Sequence, residues 1–388
     1  MKIAIIGGGI AGLTCAARLG QLGISDVTVF DTGKHAVGGR CSSRIVNING
    51  QLSVFDHCVQ YFTASDPRFK KILSYLIRDG AVTQWKGPVG HLQRGRFQAD
   101  SQFTQAYVGV NGMRSVPESL AKFCKVQRPA WVSTIQFDYH LKKWTVDKWG
   151  VYDFVVIAHN GKCAAKLTEN AGAPEIHRLC HTRFASRVNP KDSRMTLCSL
   201  FVLMVAFERS LKLPYEGAHV ADSNISWIAN NSAKLKGTSS SSGILPGNKL
   251  ECWTIISSKN LAEQNKVPQE HIPQNVEKRI SGIMLESFAE ATGLKGKLPV
   301  VHFQKLQLWG AAVPLNTLAT GSECVFDAQR QIGICSDWLV SPCVQGAAVS
   351  GLALAEAIGS CIKGNKSSTS LQPLFKEESQ SNPIGAFP

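Results

Sequence analysis

The sequence contains no Cys-x-x-Cys pair: its twelve cysteines stand singly at positions 15, 41, 58, 124, 163, 180, 198, 252, 324, 335, 343 and 361. Neither a tetrahedral zinc site nor a thioredoxin-like dithiol is written in that spacing, so no metal is expected and the thiols read as small, reduced, buried hydrophobes. No apolar run is long enough to span a bilayer, since residues 197–207 have only the length of a core strand. A polybasic tract is also missing. Lys plus Arg exceed Asp plus Glu by 42 − 28 = 14, yet the excess is scattered along the chain, with nothing denser than pairs such as Lys70-Lys71 and Lys142-Lys143. Nucleic acid needs a patch and is not an expected partner; a phosphate-bearing small molecule is one that a basic chain can serve. There is no second Gly-x-Gly-x-x-Gly, which argues against a separate NAD(P)H domain, and no Ser-His-Asp constellation. At 388 residues, 44% hydrophobic and 18% charged, the chain is an ordinary globular one for which two domains are the natural expectation. The first strand starts at once and leaves no room for a signal or transit peptide, so an intracellular, cytoplasmic protein is expected.

What is present concentrates at the start. Residues 2–6, Lys-Ile-Ala-Ile-Ile, have the composition of a buried parallel strand. Gly7-Gly8-Gly9-Ile10-Ala11-Gly12 follows, then residues 13–22 with helical spacing and no proline, then a second strand at 27–30 ending on Asp31. That order is what a dinucleotide fold requires. Gly7 makes the tight turn, Gly9 lets pyrophosphate approach bare backbone, Gly12 lets helix and strand pack closely, and Asp31 accepts from ribose hydroxyls while repelling a 2′-phosphate. Ile10 and Ala11 open the helix, whose unpaired N–H groups and dipole favour phosphate. After a loop from Thr32, Gly38-Gly39-Arg40 combines backbone that can approach a bulky ligand with a guanidinium fork suited to phosphate or a carbonyl.

Elsewhere the spacing predicts a helix after Asp66 (N-cap) and Pro67 (N1) that stops at Gly80, a helix at 113–123, a hairpin at 133–144 and a long helix within 272–292. Strands are predicted at 153–158, 197–207, 251–257, 300–308 and 332–338, and a small-residue helix from Val344 to about Cys361. The Gly-Ser stretch 237–243 reads as a disordered loop.

The fingerprint followed by Asp31 and Gly38-Gly39-Arg40-x-x-x-Arg44 resembles the flavin-binding signature of the amine oxidase, phytoene desaturase and protoporphyrinogen oxidase superfamily. Val54-Phe55-Asp56-His57-Cys58-Val59-Gln60-Tyr61-Phe62-Thr63, with Asp66-Pro67-Arg68-Phe69 behind it, is similar to the F-D-H-G-A-Q-Y-F-T segment of the renalase-like branch. Tyr107-Val108-Gly109-Val110-Asn111-Gly112-Met113 resembles the branch's Y-V-G-x-P-G-M, and Ile332 to Trp338 with Val344-Gln345-Gly346-Ala347-Ala348 resembles G-I-A-G-D-W…E-G-A. The resemblance covers roughly residues 1–170 and 300–360.

It implies an α/β fold: a Rossmann-like FAD-binding domain of the GR2 flavoprotein type, from residues 1–60, 105–170 and 322–362, and a second, mixed α+β substrate domain from 61–104 and 171–321. Residues 363–388 are expected to be a disordered tail. Non-covalent FAD is implied, held by Gly7, Gly9, Ile10, Ala11, Gly12, Asp31, Thr32, Gly38, Gly39, Arg40, Asp56, His57, Asp337, Gln345, Gly346 and Ala347. His57, Gln60, Tyr61 and Trp309, together with Trp338, are expected near the reacting ring. The implied reaction is hydride transfer from a reduced nicotinamide-type or amine donor, a small molecule, to FAD, with O2 as acceptor and H2O2 as product. Departures from the pattern are Cys58 and Ser336 for Gly, Gln345 for Glu, and His159-Asn160 at the end of the strand 153–158. Gln307, Leu308, Gly310 and Ala311 replace polar and aromatic residues around Trp309. Those changes favour, as alternatives, a desaturase or amine oxidase with an apolar substrate, or a flavin-binding protein without turnover. The oligomeric state is not encoded.

Overall fold

Ile3–Ile6, at most 2% exposed, forms the middle of a six-stranded sheet in a computed structural model of the chain. The structure describes residues 1–101, 103, 105–235, 250–318, 321–364 and 375–377. Strand order is Val325–Asp327, Ile332–Ile334, Phe154–Ile157, Ile3–Ile6, Val27–Phe30, Lys125–Gln127. All neighbours are parallel except the first pair. The chain steps outward from Ile3–Ile6 on one side and returns on the other at Phe154–Ile157, so the order reverses at the first strand. A crevice beyond the carboxyl ends at such a reversal is where open α/β sheets bind ligands. The central strands are apolar on both sides because both faces are covered. Ile3, Ile5, Phe154 and Val156 pack with the helices Ile10–Gln21 and Val344–Ile362, whereas Ala4, Ile6, Val155 and Ile157 pack with Trp144 and the small sheet of residues 135–152.

The two helices lie against each other with almost no side chain between them. A Cβ added to Gly351 would stand 2.3 Å from the Ala11 carbonyl oxygen, and one added to Gly359 would stand 2.9 Å from Leu22. Those two pairings make the helices run the same way, and both N-termini point to the same edge of the sheet. At Gly12 a Cβ would stand 2.0 Å from the Gly7 carbonyl oxygen, so the turn and the helix close on each other only because that position is bare.

A second sheet of eight strands draws on Val89–Ala99 and on the chain between Thr182 and Pro314. Its spine is Met195–Phe207, buried on both faces with period two: Phe201, Leu203, Val205 and Phe207 meet the helix Gln274–Thr292, while Leu200 and Val202 face the first domain's core. The helix predicted at 13–22 begins three residues earlier, since Gly9 is its extended N-cap. The strand predicted at 300–308 continues to Pro314 because it pairs along nearly the whole length of Met195–Phe207. Conversely, the strand predicted at 332–338 stops at Ile334, and Asp337–Leu339 is a short 3-10 turn. Within the expected tail, Phe375–Glu377 pairs antiparallel with Asn316–Leu318; the rest beyond Gly364, and the loop 237–243, lie outside the described residues.

A buried ion pair ties the two-stranded ribbon of Ser43–Ile48 and Gln51–Asp56 to the short helix Asn231–Lys234, which follows the strand Ile225–Asn230 of the second sheet. Asp56 Oδ2 stands 2.6 Å from Lys234 Nζ, and both side chains are 0% exposed. Oδ1 of the same carboxylate accepts from Ser43 Oγ at 2.5 Å and from the Met113 N–H at 2.7 Å, and the Asp56 carbonyl accepts from Thr254 Oγ1 at 2.9 Å. Lys234→Met strands a buried carboxylate without its cation. It is expected to lower unfolding free energy by about 3–5 kcal/mol in urea titration; a loss below about 1 kcal/mol would show that the pair does not hold the junction.

Candidate functional site

At the carboxyl edge of Ile3–Ile6 lies a cavity of about 720 Å³, the size of a small-molecule or cofactor site. Four of the segments that line it are Gly7 to Ala11, Asp31 with Thr32, Gly38 to Cys41, and Ser336-Asp337 with Cys343, Val344 and Ala347. Local chemistry explains how they converge. Asp31 accepts from the Gly8 N–H at 3.0 Å and from the Gly33 N–H at 2.8 Å, which fixes the glycine turn to the end of the second strand. Gly38, at φ +113°, donates its N–H to the Gly8 carbonyl at 2.8 Å, so the two glycine segments are sewn together by backbone. Arg40 then crosses the cavity floor, donating to Asp337 Oδ1 at 2.7 Å and to the Ala312 carbonyl at 2.9 Å. Asp337 Oδ2 is buried and has no hydrogen-bond partner. A carboxylate oxygen held in that way is an acceptor waiting for a hydroxyl or N–H from a ligand.

The sequence-derived candidates divide into those on the cavity wall and those behind it. Gly7, Gly9, Ile10, Ala11, Asp31, Thr32, Gly38, Gly39, Arg40, Asp337, Ala347 and Trp309 line it. Gly12 does not; it serves the helix–turn packing. Asp56 does not either, because Lys234, Ser43 and Met113 consume its carboxylate. Gln345 turns away: its amide oxygen accepts the N–H groups of Ser65 at 2.7 Å and Asp66 at 2.9 Å. The Gly346 N–H is spent on the Cys343 thiol cap at 3.2 Å. Tyr61 sits in an aromatic cluster with Trp85, Phe103 and Trp227, and Gln60 donates to the Asp56 and Cys58 carbonyls. Trp338 is buried beneath the sheet and donates to the His159 carbonyl at 3.3 Å.

His57 stands one layer back. Its ring stacks on Trp309 at 5.6 Å and 15°, and the Trp309 indole donates to the His57 carbonyl at 2.8 Å. Trp309 is therefore a flat wall with a fixed orientation, flanked in the cavity by Leu308, Gly310 and Ala311. Burial, reinforced by the Arg44 charge, lowers the His57 pKa to about 4, so its imidazole is neutral at physiological pH. His159, which lines the cavity, is likewise lowered to about 4 by burial. Burial also raises the Asp31 pKa, against the pull of the Gly33 and Gly8 N–H groups. Sequence reasoning did not single out Gly8, Trp131, Lys162, Cys163, Lys166, Phe184, Ser199 or residues 266–270 as site residues, all of which line the cavity. Only Gly8 carried a signal, as the middle of the glycine run.

Residues 5–76 match the family model of the NAD(P)-binding Rossmann-like domain. The N-terminal unit is a dinucleotide fold. A tryptophan 2-monooxygenase from Allorhizobium ampelinum is 36% identical over 102 residues, 24% of this chain and 13% of that relative's length. Among solved structures, a protein from Exiguobacterium sp. 255-15 assigned as a protoporphyrinogen oxidase has a TM-score of 0.63 at 12% identity, covering 92% of this chain and 98% of that one. Putrescine oxidase bound to putrescine has 0.59 at 12% identity, with the same two coverages. Reduced UDP-galactopyranose mutase has 0.60 at 11% identity, covering 93% and 94%. These likenesses establish the architecture: a Rossmann-like domain with a second, sheet-rich domain.

The depressed His57 pKa has a consequence for stability. Unfolded, the ring titrates near 6.5; folded, near 4. The unfolded state therefore binds more protons in that window, so stability is at full value above pH 6.5 and falls as pH drops toward 4, by up to about 3 kcal/mol from this residue. Urea midpoints measured against pH should show a slope in His57→Gln that is shallower than wild type by close to one proton near pH 5. Identical slopes would mean that His57 is not held neutral.

Proposed function

We propose that this chain is an FAD-dependent oxidoreductase of the renalase-like kind, taking a hydride from a reduced nicotinamide-type or amine donor. The observation that carries the reading is the convergence, in one cavity, of the glycine turn, the ribose-facing acid, the Gly38-Gly39-Arg40 turn and Asp337 with its unpartnered Oδ2. The N–H groups at the start of Ile10–Gln21 would take the pyrophosphate, Asp31 the ribose hydroxyls, and Asp337 a ribityl hydroxyl. Bound there, FAD supplies a two-electron acceptor, with dioxygen taking the electrons on and leaving as hydrogen peroxide. The chain's own part is to position and to exclude. Trp309, braced by His57, offers a flat face against which a planar donor can lie, and Leu308 and Ala311 keep water from it. No acid–base dyad is required for hydride removal from a good donor, and a His57 held neutral brings no competing charge to the site. The apolar wall at Leu308, Gly310 and Ala311 favours a second reading, an amine oxidase or desaturase with an apolar substrate. Anaerobic stopped-flow reduction by dihydronicotinamides and by amines separates the two.

Denaturing the purified protein should release free FAD, read by its absorbance and chromatographic mobility. A Cβ at Gly9 meets no protein atom within 4 Å, so Gly9→Val should leave the fold intact and abolish FAD retention. Asp337→Ala removes a buried acceptor and should weaken FAD binding roughly tenfold to a hundredfold, from about 1–3 kcal/mol. Full flavin content in both variants would overturn the assignment.

A further inference from the structure

The rim of the same cavity carries charge that the cofactor reading leaves unused. Lys162 and Lys166 project one turn apart from the helix Gly161–Thr168, and Lys266 comes from the segment between Lys259–Gln264 and Gln274–Thr292. All three line the cavity, and among the described residues none forms an ion pair. Among the described residues Glu270 is the lining carboxylate from the same segment as Lys266, Asp31 and Asp337 line the cavity at the strand ends, and the Glu263 carboxylate lies near Lys266, so the three ammonium groups outnumber the carboxylates beside them. Lys162 Nζ stands 5.5 Å over the ring of Phe184, another rim residue. The segment bearing Lys266 is tied to the substrate-facing wall, because Gln269 Oε1 accepts the Gly310 N–H at 2.8 Å, next to Trp309. A pyrophosphate on the glycine turn already has a helix N-terminus, so it leaves these lysines over.

Resting on the flavin reading, we infer that the rim selects an anionic hydride donor, carrying phosphate or carboxylate at the end remote from the reacting carbon, and rejects polyamine cations. A mouth where exposed ammonium groups outnumber the carboxylates beside them raises the local concentration of anionic ligand and repels cations. The apolar wall at Leu308 and Ala311 then receives the body of the donor while Lys162, Lys166 and Lys266 hold its head. Putrescine, the ligand in one structural neighbour, has the opposite charge and should be excluded here.

The test is isothermal titration of the purified full chain, its flavin content read at 450 nm in the same sample. Tripolyphosphate represents phosphate, citrate carboxylate and spermidine the polyamine. At least one anion should bind, weakening about tenfold or more between 50 and 500 mM salt, while spermidine gives no heat. The exposed-residue variant Lys162→Gln/Lys166→Gln/Lys266→Gln should bind that anion about tenfold more weakly with unchanged flavin content. The stronger of the two anions identifies the head group. Spermidine binding, no anion binding, or equal anion affinity in the variant overturns the inference. A variant that loses flavin instead assigns the lysines to the cofactor and overturns it equally. Absence of flavin in wild type would remove the cofactor reading, while the anion titration still reports on the rim.

Discussion

The contact on which the rest depends is the close, parallel approach of Ile10–Gln21 and Val344–Ile362 along Ala11, Gly351 and Gly359. Two helices from opposite ends of the chain can lie this near only where side chains are missing. Their shared direction brings both helix starts to one sheet edge, where the strand order reverses. Asp31 holds the first glycine turn, Gly38 ties the second turn to it, and Arg40 reaches across to Asp337.

The second constraint is electrostatic. Asp56 and Lys234, fully buried, anchor the chain leading to His57 against the eight-stranded sheet. Burying two charges is costly unless their remaining hydrogen-bonding capacity is met, and here Ser43, Met113 and Gln60 meet part of it. The pair ties the strand leading into His57 to the helix Asn231–Lys234, and from His57 the tie passes to Trp309, whose ring is held by stacking on His57 and a bond to its carbonyl.

How much of this could be read from sequence follows from the range of each interaction. The strands at 27–30 and 251–257 have the same bounds in the sequence pattern and in the structure, since apolar β-branched runs between turn signals define them locally. The glycine turn and Asp31 were legible for the same reason: strand, turn, helix, strand and acid are complete within about thirty residues. The resemblance puts Asp56 at the cofactor, whereas its carboxylate is spent on Lys234, which lies far along the chain in a region without pattern. Gln345 looked like a pocket residue, yet its amide caps the backbone of Ser65 and Asp66, a contact no periodicity announces. The rim lysines and Trp131 come from loops and a short helix that only the folded chain brings together.

The central claim, that two helix starts and Asp337 form one cofactor cradle, is tested most directly by amide hydrogen exchange with and without added FAD. The account predicts that FAD slows exchange together in residues 7–13, 38–41 and 336–347, and leaves the outer strands of the eight-stranded sheet unchanged. Protection confined to the first segment, or no protection in any of them, would contradict it.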